Sequence, residues 1–241
     1  MKIMFSLAAA LILALGIAAG GYLGGQGLVK SRLGDRSVSV KGLSEREVKA
    51  DLALWALRFV ATGNDLAETQ GQVKSNAEAV TRFLTSHGFS ADEIELQAPQ
   101  VTDRLAQAYN SGPVQSRFII AQQIVLRSTD VEKVAKANRD TSNLIEQGVV
   151  LSNEYGPVRP SYLFTGIADL KPEMIEEATK RAREAAETFA ADSGSHLGGI
   201  RRAWQGQFQI QPRDETPGAQ ETEQIAKTVR VVSTIEYLLV D

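Results

Sequence analysis

Two histidines, His87 and His196, and no cysteine are what the chain offers to nucleophilic, redox and metal chemistry. Without cysteine there is no disulfide, no thiolate nucleophile and no thiolate metal site. Neither histidine has a second His in its own segment, so a metal site would have to recruit distant carboxylates, and no metal or cofactor is expected. His87 precedes Gly88 at the end of a helical pattern, where a partly positive imidazole is favourable beside the last carbonyls. His196 falls in the run SGSHLGG, which reads as a structural turn. Ser193, Ser195, Gly198 and Gly199 in that run have the small and hydroxylated character of a phosphate-cradling loop. The Lys-Ser/Thr ending of a P-loop and the G-x-G-x-x-G spacing are both missing. The chain also has no G-x-S-x-G elbow and no H-E-x-x-H.

Asp51 is the best candidate for acid–base work, a carboxylate inside the apolar stretch 48–61. Buried there it would need a partner or a raised pKa, and such groups sometimes mark sites. A carboxylate hydrolase is the catalytic reading. Satisfaction by Arg58, or by a position at the strand end, is the structural one and is preferred. Glu45-Arg46-Glu47 reads as a solvated turn, and Trp55 and Trp204 as core or interface residues. Arg201-Arg202 followed by Trp204 could bind an anion or a base, but two arginines make a weak case in an acidic chain.

The elements that must position these residues belong to a folded protein. The 241 residues are 43% hydrophobic, 23% charged and 6% aromatic, which excludes a disordered, collagenous or coiled-coil chain. Lys and Arg number 26 against 29 Asp and Glu, a net charge of −3, so no nucleic-acid partner is expected.

From residue 3 to residue 29 no side chain is charged, and 3–23 is long enough to cross a bilayer as a helix. A retained anchor and a cleaved signal peptide both fit: Lys2 supplies a basic start, and small residues follow at Gly16, Ala18, Ala19 and Gly20. The run outlasts an ordinary signal core, which favours the anchor. Lys2 before the span and Lys30, Arg32 and Arg36 after it leave the charge rule nearly balanced. A short N-terminal tail held in the cytoplasm would place the rest in the periplasm. Gly16, Gly20 and Gly24 share one helix face, a spacing that lets two membrane helices pack closely.

Residues 24–36 read as a tether and 37–241 as one domain. Strands are expected at 37–41, 48–61, 94–103, 117–127, 149–152, 158–164, 200–211 and 227–240. Asp65-x-x-Glu68 opens a helix to about His87, with Leu66, Val73, Ala77, Val80 and Leu84 inward and Gly88 just past its end. Thr129-x-x-Glu132 opens a second over 130–147, its inner face holding Val131, Val134, Ala135, Asn138 and Ile145. The third starts near Pro172, buries Ile175, Ala178, Ala182, Ala185 and Phe189, and stops at Gly194. Strand–helix–strand–strand thus occurs twice, which predicts an α+β fold with three helices on a mixed or largely antiparallel sheet shared by two βαββ units. Strand 37–41 and the last strand are expected at its edges. The hairpin loops 104–116 and 212–226 are long and polar, the kind of place where binding contacts sit.

The segment VSVKGLSEREVKADLALWALRFVATGNDLAE, a helix ending HGF, then IELQAP resembles the opening of SIMPL-domain (DUF541) proteins. LKPEMIEEATKRAREAAETFAADSG is similar to that family's Ala-rich helix, and EQIAKTVRVVSTIEYLLV to its terminal strand. The resemblance implies a periplasmic or envelope-associated protein, often with an N-terminal signal or anchor, sometimes forming large oligomers, and linked to oxidative and other stress. It brings no catalytic residue set. The expectation is therefore a non-enzymatic, single-pass inner-membrane protein that self-associates and supports stress tolerance. A binding module taking a peptide or small ligand between loops 104–116 and 212–226 is the alternative.

Overall fold

Alternation that the eye passes over builds the first strand. In β1 (Ser37–Lys49) every second residue from Val38 to Val48 turns inward while Ser39, Lys41, Glu45, Glu47 and Lys49 are exposed. Gly42 and Ser44 occupy inward positions, so the pattern lacks the apolar markers that reveal a strand. The computed structural model describes residues 14, 16–22, 36–106, 115–153, 156 and 158–240.

Among the described residues two antiparallel sheets and four helices, besides the helical stretch at 16–22, make an α+β fold. After β1 come β2 (Leu52–Gly63), α1 (Leu66–Ser86), β3 (Ile94–Leu96), β4 (Gln100–Asp103) and β5 (Phe118–Ser128). Then follow α2 (Val131–Arg139), α3 (Ser142–Glu146), β6 (Ser161–Leu163) and α4 (Ile167–Asp192). The chain closes with β7 (His196–Gln205), β8 (Gln209–Pro212) and β9 (Ala226–Val240). One sheet has the order β1-β9-β7, with β8 also on β9; the other has the order β3-β5-β2-β6, with β4 also on β5. The registers of β2 with β5 and β6, of β5 with β3 and β4, and of β7 with β9 are all antiparallel. By contacts the chain divides into one unit of Met1–Glu45, Lys171–Gln209 and Arg230–Asp241 and another of Arg46–Leu170 and Ile210–Val229.

In the second of these units β2 is central, as its apolar run predicts. Ala53, Trp55, Leu57, Phe59 and Ala61 form its buried face and meet Ile120, Ile124 and Leu126 of β5. Helix α1 covers that face with Val73, Ala77, Val80, Phe83 and Leu84. Asp65 Oδ1 accepts the Glu68 N–H at 2.9 Å, and Gly88 takes φ +83 after the last turn, a left-handed geometry that glycine adopts without steric cost. In the first unit β9 alternates strictly, with Val231, Ser233, Ile235 and Tyr237 inward. Helix α4 buries Met174, Ala178, Ala182, Ala186 and Ala190, and Ala182 and Ala186 pack with Val38, Ile235 and Tyr237.

Several expectations are corrected. The shared single sheet is two sheets, and β9 is central in its own while β1 and β7 are the edges. Glu45-Arg46-Glu47 is strand, not turn. The strand expected at 94–103 is broken into β3 and β4 around Pro99, which has no N–H for a ladder. Asp130 rather than Thr129 caps α2, accepting the Lys133 N–H at 2.9 Å. The helix expected over 130–147 breaks at Asp140-Thr141, where the Thr141 hydroxyl donates to the Asn138 carbonyl at 2.8 Å. Pro172 lies inside α4, a turn beyond its start, and the inner stripe runs at steps of four, leaving Ala185 and Phe189 exposed. Ile145 and Leu66 are likewise exposed. The strand expected at 200–211 ends at Gln205, and Gly206 separates it from β8.

No helix among the described residues is long and apolar enough to cross a membrane. Of the expected span 3–23, residues 14 and 16–22 are described; they are helical, with Gly16 and Gly20 exposed. The remainder of that span, Gly24 and the tether up to residue 35 lie outside the described residues.

Candidate functional site

Asp51 does not sit within an apolar strand but in the two-residue link between β1 and β2. Its carboxylate accepts the Thr165 N–H at 2.9 Å, the Thr165 hydroxyl at 3.1 Å and the Gly166 N–H at 3.0 Å. Those donors immediately precede α4, whose first N–H groups have no partner within the helix. Asp51 is thus a strand-end anchor for the start of a helix, which is the structural reading of the sequence.

His87 is equally committed. Its Nδ1 donates to the Phe83 carbonyl at 2.8 Å, and its Nε2 lies 3.1 Å from the Asp140 carboxylate. The ring therefore ties the end of α1 to the α2–α3 junction. His196 opens β7 and is exposed. The SGSHLGG run is turn only at its start, Ser193-Gly194, and His196 through Gly199 belong to β7. A Cβ on Gly198 would come within 3.0 Å of the Leu238 carbonyl oxygen, so close strand packing explains that glycine. Ser195 is buried and its hydroxyl accepts from Arg36 at 3.2 Å.

Three residues from the sequence do gather on one strand. Arg201 reaches the Glu236 carboxylate at 3.3 Å, and the Arg202 guanidinium lies 5.2 Å from the Trp204 ring centre. The Ser37 hydroxyl first, then Arg201 and Arg202, hold the Glu236 carboxyl below its ordinary value. Strand β7 is a sheet edge, interrupted by irregularities after Leu197 and after Ile200. Ile200 and Trp204 are half exposed on it, at 50% and 49%. Among the described residues no group of three His, Asp or Glu side chains is placed to hold a metal ion.

Sequence reasoning missed an apolar groove of about 510 Å³ between α1 and the β3–β4 edge. Leu66, Val73, Leu96, Pro99, Val101 and Ile120 line it. The exposed side of α1, opening at Leu66, was the available signal. The base of the loop 104–116 is locked by Arg117, which donates to both Asp103 oxygens at 2.8–3.2 Å. Residues 107–114 lie outside the described residues. The other long loop, 212–226, is tied inward by Lys227, which donates to the Glu221 carbonyl at 2.6 Å and pairs with its carboxylate.

The family model for SIMPL, described as a protein of unknown function (DUF541), matches residues 38–237. The chain belongs to the SIMPL family. No curated protein matches it. Residues 38–237 of this SIMPL chain run from the second residue of β1 to Tyr237 of β9, so the match spans both antiparallel sheets. It also covers Asp51, His87, His196 and the β7 edge.

Proposed function

We propose that this SIMPL protein is a non-enzymatic envelope protein that self-associates along the outer edge of β7. Its N-terminal segment holds it at the inner membrane, with residues 37–241 on the periplasmic side. There it supports tolerance of oxidative or DNA-damage stress. One observation carries the assembly reading: β7 is a ten-residue edge strand with eight of its residues exposed, Ile200 and Trp204 among them. An edge of that length presents a row of backbone donors and acceptors that another strand can pair with. The uncharged run 3–29 supports the anchor, and the resemblance to envelope proteins supports the location and the stress role.

Light scattering on the full chain in detergent tests the assembly. Particles larger than a monomer are expected, falling to monomer in an Ile200→Lys/Trp204→Lys variant that keeps its melting temperature. A wild-type monomer refutes the proposal. Alkaline carbonate extraction tests the anchor: the chain should stay in the membrane pellet.

A second reading rests on the apolar groove between α1 and the β3–β4 edge, which would take an apolar peptide or small ligand. It predicts that Leu96→Asp weakens binding without changing particle size.

A further inference from the structure

We propose that the groove between α1 and the β3–β4 edge holds the chain of a free fatty acid, with Lys74 meeting its carboxylate. The proposal rests on the reading of that groove as a ligand site and names the ligand's class. The strand registers build the floor. Leu96 stands directly opposite Ile124, and Val101 opposite Ile120. Residues paired in this way share a face, so Leu96 and Val101 lie on the side of the sheet that carries the core. Ile120 and Ile124 are nonetheless buried, while Leu96 and Val101 stay 56% and 54% exposed. Helix α1 therefore covers the middle of the sheet and leaves its β3–β4 margin open. Gly71 widens the gap, because nothing lies within 4 Å of where its Cβ would be. The result is a groove of about 510 Å³, the size of a small-molecule site.

Charge selects among apolar ligands. The lining contains no Asp or Glu, and its one charged side chain is Lys74. Lys74 is exposed, and no ion pair is assigned to it among the described residues. Glu78, one turn further along α1, pairs instead with Arg82 at 3.9 Å. Gln70, one turn before Lys74, adds a neutral carboxamide to the same wall. A compact ammonium on an apolar wall suits a ligand with a hydrocarbon body and a single anionic head, and disfavours a cationic amphiphile. Backbone chemistry argues against a peptide. A peptide strand gains most of its affinity from pairing along a sheet edge. Here β3 has three residues and β4 four, and Pro99 between them has no N–H to donate. A hydrocarbon chain asks for no hydrogen bonds and takes its binding from the apolar surface it covers.

Photolabelling decides it, with the full chain in phosphatidylcholine vesicles and a diazirine-bearing dodecanoic acid as probe. The matching dodecanol and a diacyl phospholipid with the same diazirine are separate arms, and labelled residues are located by mass spectrometry. The acid is expected to label 66–77 and 96–101, at least 3-fold more than the alcohol does. Lys74→Glu, at an exposed helix position, should cut labelling by the acid at least 5-fold and leave the alcohol unchanged. Gly71→Leu, which puts a side chain into the groove and a better helix former into α1, should cut it at least 10-fold. Equal labelling by acid and alcohol, or a Lys74→Glu protein labelled like the wild type, overturns the fatty-acid assignment while the groove remains an apolar site. Stronger labelling by the phospholipid overturns it by assigning the groove to membrane lipid. Absence of label from the groove in every arm overturns both the assignment and the reading it rests on. Particle size does not enter this readout, so assembly and groove fail separately.

Discussion

Gly42 of β1 and Ala178 of α4 meet backbone against backbone: a Cβ on Gly42 would overlap the Ala178 carbonyl oxygen and lie 2.6 Å from the Ala182 nitrogen. Neither partner atom can swing aside, because both belong to a helix. Gly42→Ala should therefore cost about 3 kcal/mol or more, the upper range for overpacking. Gly71 gives the control. It is exposed within α1 with nothing near its missing Cβ, so Gly71→Ala should add about 0.5–1 kcal/mol. Thermal unfolding of the two variants would check this. A Gly42→Ala protein as stable as the wild type would sink the close-packing account.

That contact also marks where the sequence was readable and where it was not. Strong periodicity was legible: the strict alternation of β9, the central position of β2 and the Asp65 cap of α1 all follow from residue types. What hid was anything specified by closeness rather than by greasiness. Gly42 and Ser44 face inward yet read as turn residues, so β1 looked short. The α4 stripe advances by four residues, from Met174 through four alanines, and a 3.6-residue period wrongly recruits Ala185 and Phe189. The candidate site fared similarly. Asp51 was noticed as a carboxylate, but its partners lie 114 and 115 residues downstream and no local pattern reveals them. Leu96 and Val101 are brought to one face only by the register of three strands.

Tyr237 is 2% exposed, and its hydroxyl finds no hydrogen-bond partner among the described residues. A buried, unsatisfied hydroxyl costs roughly 1–3 kcal/mol, and the ring itself packs with Ala182, Ala186 and Val38. Tyr237→Phe keeps the ring and deletes the cost. It should raise stability by about 1 kcal/mol, a few degrees in melting temperature for a chain of this size. A fall of that amount instead would show that the hydroxyl is satisfied.

Asp103 is held below its ordinary pKa, chiefly by the hydrogen bonds from Arg117. A carboxyl depressed in the folded state contributes stability that is complete above its unfolded value and is lost as pH falls through the folded one. Glu93, lowered by the Ser128 hydroxyl and then the Ser90 N–H, and Asp214, lowered by Arg213, act in the same direction. The melting temperature should thus hold steady near pH 7 and fall below the usual carboxylate range of about 4. Asp103→Asn should lower the plateau and make the acid limb shallower. An unchanged acid limb would remove Asp103 from the account.

Lys227 is fully buried, its side chain 0% exposed, on the inward face of β9. Its ammonium donates to the Glu221 carbonyl at 2.6 Å and pairs with the Glu221 carboxylate, folding the 212–226 loop back onto its own strand. Removing one member of such a pair leaves the other without compensation, which costs more than the pair itself contributes. Lys227→Ala should therefore destabilise the protein by about 3 kcal/mol. Lys227→Met combined with Glu221→Gln keeps the volume and deletes both charges, so it should stay within about 1 kcal/mol of the wild type. Proteolysis adds a local readout: the single variant should be cut in 212–226 sooner than the double. A double variant as unstable as Lys227→Ala would mean that the charges themselves hold the loop, and the volume-and-neutrality argument would fail.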